Sequence, residues 1–319
     1  MTIKPTAPID PEAQEIRSRV LHGIALNRNP GLHFPGYFLD FEWGEIVMGR
    51  AGVAITEGAH CRDANGEVDI VALAILADTA LATSARTTLA PGARLATTHL
   101  EMQFSGAPAT GRISSDGNLI GFTSGIKVRQ ALTTAMLYAN DKIIAQASGG
   151  FVALDPPPGV NLAPLPWQRD QEPATSAVDE RKLEPHERVI LKMGEAALAR
   201  ATPDAPFIRQ FWGGVPKNNS KGVSHRVVIG PHLGNRVGHV QGGITLGIAA
   251  VSACAAAPAA MMLSNIAAWY ISPGHGKALN VRSRVLHAGR TVSVVRTEIK
   301  SSDGVRVLEA VTHHVAKQP

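Results

Sequence analysis

The sequence contains the same pattern of predicted elements twice, at a spacing of about 172 residues that takes Ile70 to Gly242. Each copy starts with a helical segment, at residues 16–28 and 189–200, and continues into a loop rich in proline, glycine and aromatic residues. A β-branched strand and a long alanine-rich helix follow in both copies. A chain built in this way is predicted to fold as two modules of one architecture.

Four more strands are predicted after each long helix, from alternating apolar and polar residues or from β-branched residues. A single long helix against a sheet that buries one face is an arrangement of the α+β class, which we therefore predict. The predicted strands lie at 46–56, 95–104, 119–128, 131–139 and 143–154 in the first copy, and at 223–229, 264–271, 277–288, 291–301 and 306–316 in the second.

Residues 155–185 separate the two copies, and they are rich in proline without a clear apolar period. Such a segment predicts an extended connector between two domains whose ends lie apart. The predicted organisation is an N-terminal module with its leading helix at 1–154, a linker at 155–185 and a C-terminal module with its leading helix at 186–319.

Composition narrows the functional class. Apolar residues make up 45% of the chain and charged residues 18%, as is typical of a soluble globular protein. Cys61 and Cys254 are too few for a disulfide framework or a zinc site, so we expect a reduced, cytoplasmic location and no metal. The net charge of +5 has no basic stripe, which indicates no nucleic-acid partner but suits a phosphorylated small molecule. No apolar run is long enough to predict a membrane span.

Two features of the long helices indicate catalysis. Asp78 is the only acid in the predicted helix at 71–86, and burying an unpaired carboxylate costs several kcal/mol. The second long helix contains no acid and opens with Gln241, Gly242 and Gly243. Paired glycines at a helix start leave bare N–H groups for an anion or a polarised carbonyl. The two halves thus hold complementary parts of one catalytic device.

These residues resemble motifs of the hotdog-fold acyl-CoA thioesterases, of the phenylacetyl-CoA and 4-hydroxybenzoyl-CoA thioesterase kind. The family's helix start reads roughly Asn-x-x-Gly-x-x-His-Gly-Gly, and an Asp or Glu follows eight residues after the first of the paired glycines. The second copy matches this pattern from Asn235 to Gly243, except that Gln241 replaces the histidine and Ala250 stands in place of the acid.

The first copy departs from the family pattern in the opposite way. Residues 63–71 keep its frame, but Ile70 and Val71 replace the glycines. Eight residues after Ile70 stands Asp78, within a Leu-Ala-Asp sequence similar to the family's own, and residues 97–104 resemble the family's next strand. The resemblance implies two hotdog modules in tandem, each a long central helix wrapped by an antiparallel sheet, with the sheets joined as a pseudo-dimer.

The resemblance also implies where the catalytic site lies. Sites in this family form between two modules, which contribute the amides of one helix and the acid of the other. One working site is therefore expected where Asp78 meets Gly242 and Gly243. A second, decayed site is expected between Ile70 and Ala250, because neither an acid nor a glycine pair remains there.

The same resemblance suggests a role for each site residue. Asp78 would act as a nucleophile or as a base on water, and must be ionised for either role. Gln241 and Asn235 would orient the carbonyl or the water. The residues expected to contact the substrate are Ala74, Ala82, Thr98 and His239.

The expected activity is hydrolysis of an acyl-CoA thioester without a metal or a cofactor, since coenzyme A is part of the substrate. Two alternatives stay open: a hotdog enoyl-CoA hydratase or dehydratase, and a non-catalytic acyl-CoA-binding protein. Loss of one glycine pair and one acid makes the binding protein a serious alternative. The sequence leaves open both the acyl group and whether double-hotdog chains pair further into a homodimer.

Structural roles compete with these assignments. Asp78 would also be explained as an acid bonded to the hydroxyl of Thr79 or Thr98, and the paired glycines by close packing of a helix. Taken singly, Gln241 and Asn235 fit cap and loop residues better than catalysts.

Two further motifs resemble those of other hotdog enzymes but are incomplete. Residues 33–36 read His-Phe-Pro-Gly, as in hydroxyacyl-ACP dehydratases, yet a strand separates them from the long helix. Residues 116–118 begin the Asp-x-Asn-x-x-His motif of (R)-specific enoyl-CoA hydratases, but Gly121 stands in place of the histidine. Without that base, addition of water to an enoyl thioester lacks its main catalytic group.

Overall fold

The computed structural model describes residues 10–90, 92–123, 128–155, 162–169, 175–220 and 222–317. The first half forms three helices and six strands. The helices are α1 (Pro11–Asn27), α2 (Phe34–Phe38) and α3 (Ile70–Arg86), and the strands are β1 (Glu42–Val47), β2 (Arg50–Thr56), β3 (Arg94–Phe104), β4 (Arg112–Phe122), β5 (Gln130–Ala139) and β6 (Lys142–Leu154).

The second half repeats most of this order with two α-helices and six strands. The helices are α4 (Pro185–Arg200) and α5 (Gly242–Ala256), and the strands are β7 (Lys217–Asn219), β8 (Gly222–Val228), β9 (Met261–Tyr270), β10 (Ala278–Ala288), β11 (Val292–Ser301) and β12 (Arg306–Ala316). A π-helical turn at Arg209–Gly213 takes the place that α2 has in the first half.

All the described strands belong to one antiparallel sheet, in the order β1-β2-β4-β5-β6-β3-β9-β12-β11-β10-β8-β7. Read outward from the centre, both halves have the same order, with β3 and β9 meeting in the middle. Leu100 pairs with Ala268 across this junction, and Met102 pairs with Ile266. Antiparallel pairing of equivalent strands relates the halves by an approximate two-fold axis, and the predicted α+β class is confirmed.

The starts of the two long helices follow from their capping residues. Asp69 precedes α3, and its side chain accepts the N–H of Val71 at 2.8 Å. Gln241 precedes α5, and its Oε1 accepts the N–H of Ile244 at 2.9 Å. Each side chain satisfies one of the N–H groups that a helix start leaves without a partner. Within the described residues no helix has the length and apolar character needed to cross a membrane.

The two long helices pack directly against each other at the centre of the molecule, on one face of the sheet. A Cβ added to Gly243 would lie 2.4 Å from the backbone oxygen of Ala74, and one added to Gly247 would lie 2.6 Å from the Cα of Val71. Any larger side chain at these two positions would force the helices apart. This contact brings the second turn of α3 close to the start of α5.

The predicted strand at 46–56 is wrong in one respect, because it is a hairpin of two strands. β1 ends at Val47, β2 begins at Arg50, and Gly49 turns the chain with a φ of +78°. Because β-branched and apolar residues lie on both sides of the turn, the sequence pattern predicted one continuous strand where there are two short ones.

The strand predicted at 119–128 is also misplaced. β4 runs earlier, from Arg112 to Phe122, and residues 124–127 lie outside the described part of the chain. On the face of β4 toward α3, Ser115 and Gly117 stand between Ile113 and Leu119, and a Cβ on Gly117 would lie 2.5 Å from the backbone oxygen of Ala80. The helix approaches so closely here that small residues interrupt the apolar pattern.

The connector between the halves contains two single turns of 3₁₀ helix, Pro166–Gln168 and Glu180–Lys182, and α4 begins at Pro185. Residues 156–161 and 170–174 of the predicted linker lie outside the described chain. Its described part is not detached from the fold, because Leu165 is buried and Arg169 donates to the backbone oxygen of Pro30. The exact limits of the domains stay a prediction.

Replacing Gly247 by alanine tests the contact between α3 and α5. Helix propensity alone favours alanine over glycine by about 1 kcal/mol, whereas forcing a methyl group against Val71 costs about 1–3 kcal/mol. We therefore expect Gly247→Ala to lower the thermal unfolding midpoint. Gly121→Ala is the control, because its Cβ would meet no other described atom within 4 Å. A higher midpoint for Gly247→Ala would contradict the packing.

Candidate active site

Asp78 lies in the middle of α3, and its side chain meets the start of α5 from the other half. Its Oδ2 accepts a hydrogen bond of 2.6 Å from Gln241 Nε2 and one of 3.3 Å from the backbone N–H of Gly243. Its Oδ1 accepts only a long hydrogen bond of 3.4 Å from Thr97 Oγ1 on β3. The residue is 7% exposed. The structure therefore brings the acid of one half to the helix start of the other.

Gln241 holds this arrangement by using both ends of its side-chain amide. Its Oε1 caps α5 through the N–H of Ile244, which directs the Nε2 group toward Asp78. Its backbone N–H donates to Leu233 at 2.9 Å, so the residue is anchored in the preceding loop as well. An N-cap residue thus doubles as a hydrogen-bond donor in the site.

The two adjacent glycines have different surroundings. Gly242 faces the site, where a Cβ would lie 3.0 Å from Asp78 Oδ2 and 3.2 Å from Thr97 Oγ1. Gly243 faces α3 and permits the close helix contact, while its N–H donates to Asp78. Tyr270 on β9 donates a hydrogen bond of 2.6 Å to the carbonyl of Gly242 and holds this peptide in place.

Burial raises the pKa of Asp78 to about 7, against the opposing effects of the hydrogen bonds from Gly243 and Thr97 and of the positive charge of Arg86. Burial also raises the pKa of Tyr270 far above its usual range, and the charge of Asp78 adds to this. The tyrosine therefore stays neutral and acts as a donor. A carboxylate that titrates near neutral pH in a buried position is suited to general acid–base chemistry.

A cavity of about 580 Å³ opens beside these groups and is lined by both halves and by the connector. Asp78, Gln241 and Gly242 lie on its wall. Most of the wall is apolar, and Trp43 and Phe151 contribute aromatic surface. Its size and lining suit a small organic ligand that brings one polar reacting group to Asp78.

Three of the four predicted substrate-contacting residues lie on the wall of this cavity. Ala82, Thr98 and His239 line it. Ala74 does not, because it is fully buried against Gly243 in the contact between the long helices. Asn235 lines the cavity, but its Oδ1 accepts the N–H groups of Val237 and His239, both at 3.0 Å, and so stabilises its own loop.

The pair of positions expected to form a decayed second site has a different environment. Ala250 is fully buried, and Asp69 stands before Ile70 as Gln241 stands before Gly242. One oxygen of Asp69 caps α3, and the other is held in an ion pair by Arg209 from the π-helical turn. The carboxylate nearest this second position is therefore already fully engaged in structural contacts.

Four residues of the cavity were missed or set aside in the sequence reasoning: Thr97, Tyr270, Arg86 and His33. Arg86 follows Asp78 and Ala82 at intervals of four residues, a spacing that predicts all three side chains on one face of the helix. His33 belongs to the His-Phe-Pro-Gly segment that we set aside, and it lines the cavity as the cap of α2. Thr97 and Tyr270 required knowledge of the strand register.

No group of three or more histidine, cysteine, aspartate and glutamate side chains is arranged to hold a metal ion within the described ranges. The polar atoms around Asp78 are supplied by an amide, a hydroxyl and backbone N–H groups. Apart from Asp78 these atoms are donors, and they suit an anionic oxygen rather than a cation.

The raised pKa of Asp78 predicts a specific dependence of stability on pH. Between the usual carboxyl pKa near 4 and about 7, the folded protein holds a proton at Asp78 that the unfolded chain releases. The free energy of unfolding should therefore fall by a few kcal/mol as the pH rises across this range and level off above it. Asp78→Asn should lack this component.

Denaturant unfolding of the wild type and Asp78→Asn at several pH values gives the free energy of unfolding of each protein. The difference between the two profiles isolates the contribution of Asp78, because the other titratable groups are common to both. Asp116→Asn serves as the control, because that carboxylate is half exposed on β4. Parallel pH profiles for the wild type and Asp78→Asn would contradict the raised pKa.

Comparison with known proteins agrees with the architecture. Residues 232–315 match a family model described as the acyl-CoA thioesterase N-terminal domain. No curated protein sequence matches the chain. Among solved structures, a protein from Lactobacillus plantarum described as an oleoyl thioesterase is similar, with 10% identity and a TM-score of 0.52. The match covers 85% of this chain and 98% of that protein. The tesB protein of Mycobacterium avium subs paratuberculosis has 10% identity and a TM-score of 0.50, covering 87% and 96%.

The matched segment contains Asn235, Gln241, the glycine pair and α5, and it ends within β12. The two solved structures share the fold over most of the chain, at identities that carry information about the fold alone. The predicted hotdog fold is thus confirmed, and residues 232–315 are similar to the acyl-CoA thioesterase domain.

Proposed function

We propose that this protein hydrolyses an acyl-CoA thioester at one composite site between its two modules. The observation that carries the proposal is the contact of Asp78 from the first module with Gln241 and Gly243 at the start of α5 in the second. The acyl-CoA thioesterase match of residues 232–315 covers the part of this site that the second module contributes.

The start of α5 is suited to stabilise the negative charge that develops on a thioester carbonyl oxygen. The N–H groups of Gly243 and Ile244 already donate to Asp78 and Gln241, so the N–H of Gly242 is the first-turn donor left for the carbonyl. The helix dipole adds positive potential there. Gly242 presents its backbone to the cavity without a Cβ, so a carbonyl can approach closely. A well-placed donor of this kind contributes about 3 kcal/mol to stabilisation of the transition state.

Asp78 supplies the basic group. Its Oδ2 is fixed by Gln241 and Gly243, whereas its Oδ1 has only the long contact with Thr97 and is free to react. As a base it takes a proton from water, whose oxygen then bonds to the carbonyl carbon. The C–S bond breaks, and the leaving thiolate of coenzyme A receives the proton. As a nucleophile it would attack the carbon itself, and the C–S bond would break to leave a mixed anhydride and the thiolate. Water would then cleave the anhydride into the free acid and Asp78, and its proton would pass to the thiolate.

Asp78→Asn preserves the shape of the site but removes the base. We expect kcat/KM for acyl-CoA hydrolysis to fall roughly 100-fold to 10,000-fold. For the wild type, kcat/KM should rise with pH and level off above about 7, because Asp78 must be ionised and burial has raised its pKa. A free-thiol reagent and a panel of acyl-CoA thioesters measure both effects.

Asp69→Asn is the matched control for this substitution. It changes the acid that caps the other long helix and pairs with Arg209; asparagine keeps the cap but loses the ion pair, so an unfolding midpoint must establish that the variant is folded. Its hydrolysis rate should stay near that of the wild type. Near wild-type turnover in Asp78→Asn would remove Asp78 from the mechanism. Thermal stabilisation by acyl-CoA without thiol release from any member of the panel would favour a binding protein.

Gly242→Ala tests the close approach at the start of α5. The added methyl group would lie 3.0 Å from Asp78 Oδ2, so the carboxylate must shift and the carbonyl must bind farther out. A displacement of this kind lowers kcat/KM by up to about 100-fold. Gly121→Ala, on β4, should keep full activity. Unchanged kinetics in Gly242→Ala would mean that the carbonyl does not bind against this peptide.

A further inference from the structure

Arg86 is a charged group of the cavity wall that has no ion-pair partner among the described residues. It stands in the last turn of α3, two turns beyond Asp78, and lines the cavity. Its Nη1 donates a hydrogen bond of 2.8 Å to the backbone oxygen of Ala93. No carboxylate among the described residues forms an ion pair with it, and its remaining N–H groups have no described partner. Burial lowers its pKa to about 10, so it is positively charged at neutral pH.

The rest of the cavity adds to this imbalance of charge. Of the described residues on its wall, Arg86, Arg94 and Arg236 are cationic and Asp78 is the only acid. The guanidinium groups of Arg94 and Arg236 donate to backbone oxygens of the connector. Arg86 differs from them in standing on α3 itself, two turns beyond Asp78, where its remaining N–H groups have no described partner. A partly buried charge without an ion-pair partner is costly, and an anionic ligand group would remove that cost.

His33 provides a further donor near Arg86. Its Nδ1 accepts the N–H of Gly36 at 3.0 Å, so the ring proton must be on Nε2. Burial lowers its pKa to about 4, with a further contribution from the positive charge of Arg236, and the ring stays neutral at physiological pH. Both residues line the same cavity, and the positive charge of Arg86 also contributes to lowering the pKa of His33. Together they offer N–H donors and positive charge, the combination that binds carboxylates.

We propose that Arg86 binds a carboxylate at the far end of the acyl group, so that the preferred substrates are ω-carboxyacyl thioesters, the half-thioesters of dicarboxylic acids. This inference rests on the proposed function, because it assumes that the thioester carbonyl lies at Asp78. Arg86 would then determine specificity without taking part in bond breaking. Thr79 and Thr83, which line the same face of α3 between Asp78 and Arg86, make the intervening wall partly polar.

The position of Arg86 favours an acyl carboxylate over a phosphate of coenzyme A. Eight residues of helix separate it from Asp78, a rise of about 12 Å that the two side chains shorten. The charges of Asp78 and Arg86 also act on each other. The phosphates of coenzyme A are separated from the sulfur by the whole pantetheine arm with its two amide units. A chain of medium length between the two carbonyl carbons of a diacid fits the shorter distance.

A purely structural role is the competing explanation. A cation in the last turn interacts favourably with the helix dipole, and the hydrogen bond to Ala93 ties down the segment after α3. These contacts need a positive charge and one donor, which lysine also supplies. They do not require any preference among substrates, so specificity distinguishes the two explanations.

The kinetic experiment compares adipoyl with hexanoyl and suberoyl with octanoyl thioesters, each carried by coenzyme A and by N-acetylcysteamine, which has no phosphate. We expect the wild type to prefer the carboxylated member by roughly 10-fold or more in kcat/KM with both carriers. Arg86→Gln should abolish this preference, and Arg86→Lys should retain part of it. Arg112→Gln removes the same charge from an exposed ion pair outside the cavity and should keep the preference.

A binding experiment makes the inference independent of hydrolysis. Adipic acid monoamide carries the distal carboxylate and a neutral amide in place of the thioester, and hexanamide lacks only the carboxylate. Calorimetric titration should show tighter binding of the monoamide to the wild type and similar binding of both compounds to Arg86→Gln. Unfolding midpoints of every variant establish that each is folded. If no thioester is hydrolysed, this arm still decides whether Arg86 binds a carboxylate.

Three results would overturn the inference. The first is equal treatment of carboxylated and neutral ligands by the wild type in both experiments. The second is a carboxylate preference that survives in Arg86→Gln. The third is a fall of kcat/KM in Arg86→Gln that affects all coenzyme A thioesters alike and no N-acetylcysteamine thioester. Arg86 would then bind a phosphate of the carrier.

Discussion

The carboxylate of Asp78 can be buried because the opposite module supplies its hydrogen-bond donors. Gln241 and Gly243 reach it from the start of α5, and among the described residues Thr97 is its one other bonded neighbour. Neither module alone would provide this environment, and an unpaired carboxylate on the apolar face of α3 would be strongly unfavourable. The catalytic proposal and the contact between the modules therefore depend on the same few atoms. The raised pKa of Asp78 reflects how closely the two helices exclude water around it.

The two halves share one architecture but differ at the starts of their long helices. The glycines at 242, 243 and 247 lie on α5, where they admit the backbone of α3 and leave the cavity open. The equivalent start of α3 carries Ile70 and Val71, and Val71 packs onto Gly247. A close helix contact needs small residues on only one of its two sides. On the other side of the pseudo-axis, Asp69 and Arg209 neutralise each other.

The cavity is mostly apolar, but its charged wall residues are one acid, Asp78, and three arginines. Asp78 and Arg86 both stand on α3, and His33 caps the short helix α2 on the same wall. In the proposed mechanism, one helix thus holds both the reacting carboxylate and a second anchoring point for the ligand. Leu32 and His33, which precede α2, complete this part of the cavity wall.

The sequence by itself determined the repeat, the α+β class, the two long helices and the positions of Asp78 and the glycine pair on them, because these depend on local periodicity, capping and residue size. It misjudged the hairpin at Gly49 and the strand β4, where close approach of α3 replaces apolar side chains by small ones. Only the tertiary structure decided that Thr97, Tyr270, His33 and Arg86 face one cavity while Ala74 does not. Those placements depend on strand register and on the packing of helices from different halves, contacts between residues far apart in the chain that no local pattern records.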